Sequence, residues 1–145
     1  MSRVLILLLG VTCVLAATVV EAGETTTIDW AGDLPAALKA ADVEHRPLLI
    51  FVTAPRCKYC DLMKARTLAD PAVAAQVNRD FVPVLVDAEG NDDMVKLLEV
   101  RAYPTTVIVY PDAHDAVRIR GFVAADAFRQ RLIEAQREAQ RLSRR

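Results

Sequence analysis

The segment "PLLIFVTAPRCKYCDLMK" constrains the fold more than any other part of the chain, because an apolar run leads directly into two closely spaced cysteines. Residues 47–54 carry no charge, include β-branched residues and are bounded by Pro47 and Pro55. Such a run is typical of a strand that is covered on both faces. The residues after Cys57 favour a helix, so the sequence predicts a strand, a short loop and then Cys57 and Cys60 at a helix start.

The first 22 residues resemble an export signal. Arg3 provides the positive start, residues 4–20 are uncharged and apolar, and "VEA" ends the segment with small residues at Val20 and Ala22. We predict cleavage after Ala22, which leaves residues 23–145 as one mature domain. An uncleaved anchor is the alternative, because this run of 17 residues approaches the length of a membrane span. Lipidation at Cys13 is a second alternative, although the preceding residues match such a site poorly.

Composition narrows the classes of protein that this chain can belong to. A chain of 145 residues is one domain in size, and its formal net charge of −1 gives no electrostatic reason to bind nucleic acid. Removal of Cys13 with the signal leaves two cysteines in an exported, oxidising location, where they can form a disulfide. A bridge across two intervening residues restrains little chain entropy, so chemistry explains the pair better than stability.

The rest of the sequence alternates strand and helix patterns. It predicts the order β-α-β-α-β-α-β-β-α, starting with a short strand at "TIDW" and a helix that Asp33 caps. One helix is expected across "CKYCDLMKARTLA", and a second, capped by Asp70, follows it. This order predicts an α/β fold with a mainly parallel sheet, an antiparallel hairpin at its edge and helices on both faces. The last helix should bury Phe128, Leu132, Ile133 and Ala139.

The position of the cysteines indicates redox chemistry. At a helix start, unpaired N–H groups and the positive end of the helix dipole stabilise a thiolate. An ordinary thiol has a pKa of about 8.5, and this location with nearby cations lowers that pKa. Arg56 and Lys58 flank Cys57, so we predict Cys57 as the nucleophile and these cations as its pKa-tuning groups. Cys60, nearly one turn further along, is predicted to be buried and to act as the resolving thiol.

Two other interpretations of the cysteine pair remain. A zinc site needs two further ligands, and the candidates His45 and His114 lie in separate loops, so neither a metal nor an organic cofactor is predicted. A purely structural disulfide would instead make the chain a binding or assembly module. His114, in "PDAH", is interpreted as a turn residue.

Several motifs together resemble a known family. The strand "LLIFVTA", the motif "CKYC" and the segments "LADPAV", "VPVLVDAEG" and "VRAYPTTVIVYPD" resemble the thioredoxin fold of exported bacterial proteins. The resemblance runs from Asp33 to Phe128 and is specifically to the C-terminal domain of the transmembrane thiol–disulfide interchange protein. It implies a central mixed β-sheet flanked by helices on both faces. It also implies protein disulfide or dithiol substrates, a redox partner that resets the cysteine pair, and a periplasmic or otherwise extracytoplasmic location. The membrane would be contacted only through an uncleaved N-terminal segment.

The resemblance also implies roles for individual residues. Pro104 in "AYPTT" corresponds to a cis-proline that faces the two sulfurs. The Tyr103 backbone would pair with a substrate chain as an added strand. Tyr59, which stands between the two cysteines, is interpreted from its position as a packing or substrate-facing surface ring rather than a catalytic acid.

Two positions depart from the family pattern. Arg56 stands where tryptophan is usual, and Phe51 stands where many members carry a buried acid that relays a proton to the resolving thiol. Without that acid, Cys60 must lose its proton to water or to Lys58, Asp61 or Glu89. The cations and the missing acid favour an oxidising disulfide, whereas the resemblance favours a reductase or isomerase.

Overall fold

The computed structural model describes residues 26–144, so the predicted signal peptide, its cleavage site and Cys13 lie outside the described residues. Five α-helices, four strands and one π-helical segment follow one another in this order: α1 (Leu34–Glu44), β1 (Leu48–Thr53), α2 (Lys58–Met63), the π-helical segment (Lys64–Leu68), α3 (Pro71–Asp80), β2 (Val82–Asp87), α4 (Asp92–Leu97), β3 (Thr105–Val109), β4 (Val117–Arg120) and α5 (Ala125–Leu142). Within residues 26–144, no helix combines the length and the hydrophobicity needed to cross a membrane.

Capping residues fix the starts of α1 and α3. The Asp33 carboxylate accepts a hydrogen bond from the backbone N–H of Ala36 at 2.8 Å. The Asp70 carboxylate accepts from Ala72 and Val73 at 2.9 and 3.0 Å. Both caps match the sequence prediction, because a short acidic side chain satisfies backbone donors that a helix start leaves unpaired.

The sheet is mixed, with the strand order β2-β1-β3-β4. Strand β1 pairs in parallel with β2 and antiparallel with β3, and β3 pairs antiparallel with β4. The central mixed sheet that the family resemblance implies is therefore confirmed, whereas the mainly parallel sheet expected from the order of the elements is wrong. The connection that contains α4 brings the chain back to the end of the sheet at which β2 stops, so β3 starts there and runs antiparallel to β1.

The predicted strand at "TIDW" is also wrong. In its place the structure has one isolated parallel bridge between Ala31 and Val84. The next ladder bond towards the N-terminus would need a backbone N–H from Pro83, which has none. The Asn78 side chain binds this segment instead, accepting from Asp29 N at 2.9 Å and donating to the Thr27 carbonyl at 2.7 Å.

The core lies on both faces of β1, whose six residues are all buried. Leu49 and Phe51 pack on one face, in a cluster with apolar residues of α2, α3 and α5. Leu48, Ile50 and Val52 pack on the opposite face, where α1 and the residues around α4 cover them. The sheet is thus covered by helices on both faces, as expected for the thioredoxin fold.

Two further helix predictions need correction. The helix that contains Cys60 changes at Lys64 into the π-helical segment, in which the buried Thr67 hydroxyl donates to the Val123 carbonyl at 2.6 Å. In α5, Phe128, Leu132 and Ala139 are buried as predicted, but Ile133 is 37% exposed. Ile133 directly follows Leu132, so it points about 100° away around the helix and leaves the buried face.

Candidate redox site

Cys57 and Cys60 form a disulfide at the start of α2, with their Cα atoms 5.2 Å apart. Cys57 is the N-cap residue in an extended conformation, and its sulfur accepts a hydrogen bond from Cys60 N at 3.2 Å. The Cys57 carbonyl accepts from Cys60 N and Asp61 N. The first sulfur therefore receives a backbone donor at a helix start, which is the placement that the sequence predicts.

The two cysteines differ in their access to solvent. Cys57 is partly exposed, whereas Cys60 is completely buried. Thiol–disulfide exchange needs an attacking sulfur that a partner can approach. The arrangement therefore offers one sulfur to a partner and shields the other.

The residues that flank Cys57 lie on the surface. Arg56 and Lys58 are exposed, and neither forms an ion pair with another residue in the part of the chain that the structure describes. Tyr59 is 61% exposed. Arg56 also has the left-handed φ of 55°, a conformation that costs a residue with a side chain about 1–2 kcal/mol. Arg56 and the first two residues of α2 thus present two positive charges and an aromatic ring beside Cys57, and neither charge is paired within residues 26–144.

The Tyr103–Pro104 peptide bond is cis and directly precedes β3. The Thr105 hydroxyl donates to the Ala102 carbonyl at 2.7 Å, and Gly121 N donates to the Pro104 carbonyl at 2.8 Å. The first bond closes the turn that contains the cis peptide bond, and the second joins this turn to the residue that follows β4. Pro104 is buried and Tyr103 is partly exposed.

Phe51 occupies the position at which the family resemblance expects an acid. Its ring is fully buried and lies 6.4 Å from the Trp30 ring, measured between centroids. Lys58, Asp61 and Glu89, the predicted substitutes for that acid, are all exposed, whereas Cys60 is buried. The structure therefore does not place these three groups in the buried surroundings of Cys60.

Sequence reasoning missed Thr53, the last residue of β1. Thr53 is 1% exposed, and its hydroxyl oxygen has no hydrogen-bond partner among residues 26–144. The sequence did contain a signal for its burial. Side chains alternate along a strand, so Thr53, two residues after Phe51, lies on the same face of β1 as Phe51.

The described residues provide no candidate metal site, because no three histidine, cysteine, aspartate or glutamate side chains between positions 26 and 144 group closely enough to hold an ion. His45 ends α1, and His114 is an exposed residue of the connection between β3 and β4.

A mixed sheet, a disulfide at a helix start and a cis-proline before β3 together define a protein of the thioredoxin class. A family profile described as a thioredoxin-like domain matches residues 34–136, and the chain belongs to this family. It has a thioredoxin-like oxidoreductase fold with a CxxC-spaced disulfide, which indicates thiol–disulfide oxidoreductases in general.

Individual relatives agree with this assignment. The oxidised C-terminal domain of DsbD from Neisseria meningitidis is 27% identical, with a TM-score of 0.59, and the match covers 70% of this chain and 91% of that domain. A structure described as DsbH oxidoreductase has a TM-score of 0.69 over 77% of this chain and 85% of that one; at 18% identity it shows the fold alone. An uncharacterised protein of Caenorhabditis elegans is 27% identical over 95 residues, which are 60% of this chain and 13% of that protein's length.

Proposed function

We propose that the protein is an extracytoplasmic thiol–disulfide oxidoreductase that exchanges disulfides with protein partners through Cys57 and Cys60. The observation that carries this proposal is the pairing of a partly exposed sulfur at a helix start with a fully buried sulfur. Membership of the thioredoxin-like family and similarity to the DsbD C-terminal domain support it.

The two thiols act in sequence when a partner is reduced. The Cys57 thiolate attacks one sulfur of the partner disulfide, which forms a mixed disulfide and releases the other partner sulfur as a thiolate. Cys60 then loses its proton and attacks the Cys57 sulfur, and the remaining partner sulfur leaves. Two electrons pass to the partner and the Cys57–Cys60 bond forms. The reverse steps donate a disulfide.

Surrounding residues supply charge and contacts. Arg56 and Lys58 are proposed to stabilise the Cys57 thiolate, since both charges are exposed and unpaired within the described region. Tyr59, Tyr103 and Pro104 are proposed to contact the substrate, whose extended chain pairs with the Tyr103 backbone as an added strand. The exchange requires no metal or organic cofactor, but a second redox protein must reset the cysteine pair.

The catalytic claim is tested by cysteine variants. Cys57→Ser should abolish reduction of insulin disulfides, and Cys60→Ser should accumulate mixed disulfides with native partners that can be isolated and identified by mass spectrometry. If the wild-type protein shows no thiol exchange and its disulfide resists mild reductants, the protein is instead a binding or assembly module with an inert disulfide.

We propose the reductase or isomerase direction on the basis of the similarity to the DsbD domain. Equilibration with glutathione measures the reduction potential directly. The proposal expects a value in the range between about −270 mV, as in thioredoxin, and about −180 mV, as in protein disulfide isomerase. A potential close to about −120 mV, typical of a strong oxidant, would contradict this direction.

The proposed location depends on residues 1–22 acting as an export signal. Expression of the full chain in bacteria should give a periplasmic product that begins at Gly23, as determined from its intact mass. A product that stays in the cytoplasm with residue 1 intact would contradict export, whereas a full-length product in the membrane fraction would identify an uncleaved anchor.

A further inference from the structure

Thr53 is a buried polar group that the exchange steps described above do not use. Its residue is 1% exposed, and within residues 26–144 its hydroxyl oxygen has no hydrogen-bond partner in the disulfide-bonded state. An unpartnered buried hydroxyl destabilises a protein, and its replacement by an apolar group of the same shape is nearly neutral or stabilising. The Thr53 hydroxyl is therefore a buried donor that no group among residues 26–144 uses in this state.

Strand geometry places Thr53 on the face of the sheet that α2 covers. Side chains alternate along a strand, so Leu49, Phe51 and Thr53 share one face of β1. Leu49 and Phe51 belong to the same buried cluster as Met63, which lies on α2 three residues after Cys60.

The sheet register places Thr53 at the end of the sheet that carries the redox site. Thr53 pairs with Asp87 at the last position of β2. The β1–β3 register ends with Val52 opposite Thr105, and one further step brings Pro104 opposite Thr53. Thr53 thus neighbours Pro104 across the sheet and is the last residue of β1 before the loop that leads to Cys57.

Reduction of the disulfide leaves Cys60 with a free sulfur. In the oxidised protein the Cys60 sulfur is bonded to Cys57, whereas in the reduced protein it becomes a thiol that must ionise before it attacks. We propose that the Thr53 hydroxyl donates a hydrogen bond to the Cys60 thiolate and so stabilises it in a site where Phe51 stands at the position of the buried acid. Thr53 keeps its own proton throughout, while the proton that Cys60 loses passes to water.

Charged groups on the neighbouring elements lie at the surface and do not take this role. The exposed ones around the site include Arg56, Lys58, Asp61, Lys64, Arg66, Asp87, Glu89 and Arg101. Thr53 is a positioning residue in this inference, which rests on the proposed function because it assigns a step to Cys60.

The first test measures the ionisation of Cys60 itself. In full-length protein that carries Cys57→Ser, an NMR titration of the Cys60 Cβ resonance gives the pKa of this thiol without any exchange activity. Adding Thr53→Val should raise that pKa by about one unit or more. At any pH below the pKa, the fraction of Cys60 present as thiolate should then fall about tenfold. Thr53→Ser keeps the hydroxyl and should retain most of the wild-type pKa.

The second test uses the stability of the oxidised protein. Thr53→Val should be at least as stable as the wild type, because it removes a hydroxyl that has no partner in that state. Thr67→Val is the matched control: it leaves the buried Val123 carbonyl without its donor, so it should destabilise the fold and leave the pKa of Cys60 unchanged.

An unchanged pKa of Cys60 in Thr53→Val would overturn the inference. A loss of stability in oxidised Thr53→Val would also overturn it, because the hydroxyl would then have a partner before reduction. Failure of the proposed function gives a different result, namely absence of thiol exchange in the wild type, and the Cys60 titration does not depend on exchange.

Discussion

Reduction of the Cys57–Cys60 bond should change the stability of the domain only slightly. The bridge joins residues three positions apart in sequence, so the closed loop is very small. In the chain-entropy description, a loop of this size stabilises the folded protein by about 2 kcal/mol. The reduced protein recovers part of this through the Cys57 thiolate, because a negative charge at a helix start contributes about 0.3–1 kcal/mol.

We therefore expect the oxidised form to exceed the reduced form by about 1–2 kcal/mol in free energy of unfolding. Urea denaturation with and without dithiothreitol measures this difference, and Trp30, the single tryptophan of the chain, reports unfolding by fluorescence because its ring packs against buried Phe51. Cys60→Ser is the control, and its stability should not respond to dithiothreitol. A difference above about 4 kcal/mol would refute this reasoning and identify the bridge as a structural crosslink. A more stable reduced form would contradict the proposed reducing direction.

Three further predictions concern other parts of the fold. Phe51→Ala should lower the free energy of unfolding by about 3–5 kcal/mol in urea denaturation, because the ring is fully buried; a loss below about 1 kcal/mol would contradict its place in the core. Asp70→Ala should cost about 1 kcal/mol by removing the cap of α3, and Asp70→Asn should retain most of it; equal losses in the two variants would rule out capping as the cause. Burial raises the pKa of Tyr110 above 10.0, an effect that a weaker interaction with Arg144 opposes. The stability that follows from this shift is present below the unfolded-state pKa and is lost as pH rises through the folded-state pKa. An ultraviolet tyrosinate titration should accordingly lose its late component in Tyr110→Phe, and an unchanged curve would disprove the assignment.

Local patterns in the sequence predicted the elements that depend on local physics. Asp33 and Asp70 start helices because their carboxylates satisfy nearby backbone donors, and β1 is buried on both faces because it is apolar throughout. The placement of Cys57 at a helix start and the burial of Cys60 follow from the same segment.

Features that depend on distant parts of the chain were not predicted. The direction of β3 depends on the end of the sheet at which the connection after β2 finishes, and strand propensity contains no such information. The segment "TIDW" has strand-like residues, but its ladder stops at Pro83, more than 50 positions away in sequence. The isolation of the Thr53 hydroxyl depends on every group around it, so sequence alone could not identify it.

Because Cys60 is buried and Cys57 is partly exposed, an oxidant in solution acts differently on the two thiols of the reduced protein. A peroxide in solution can reach Cys57, whereas Cys60 is completely enclosed as long as the domain stays folded. Oxidation of Cys57 to a sulfenic acid is followed by condensation with the neighbouring Cys60 thiol, which restores the disulfide and releases water. Irreversible oxidation to sulfinic or sulfonic acid must compete with this rapid internal closure. The buried Cys60 thiol therefore protects Cys57 from irreversible oxidation to sulfinic or sulfonic acid.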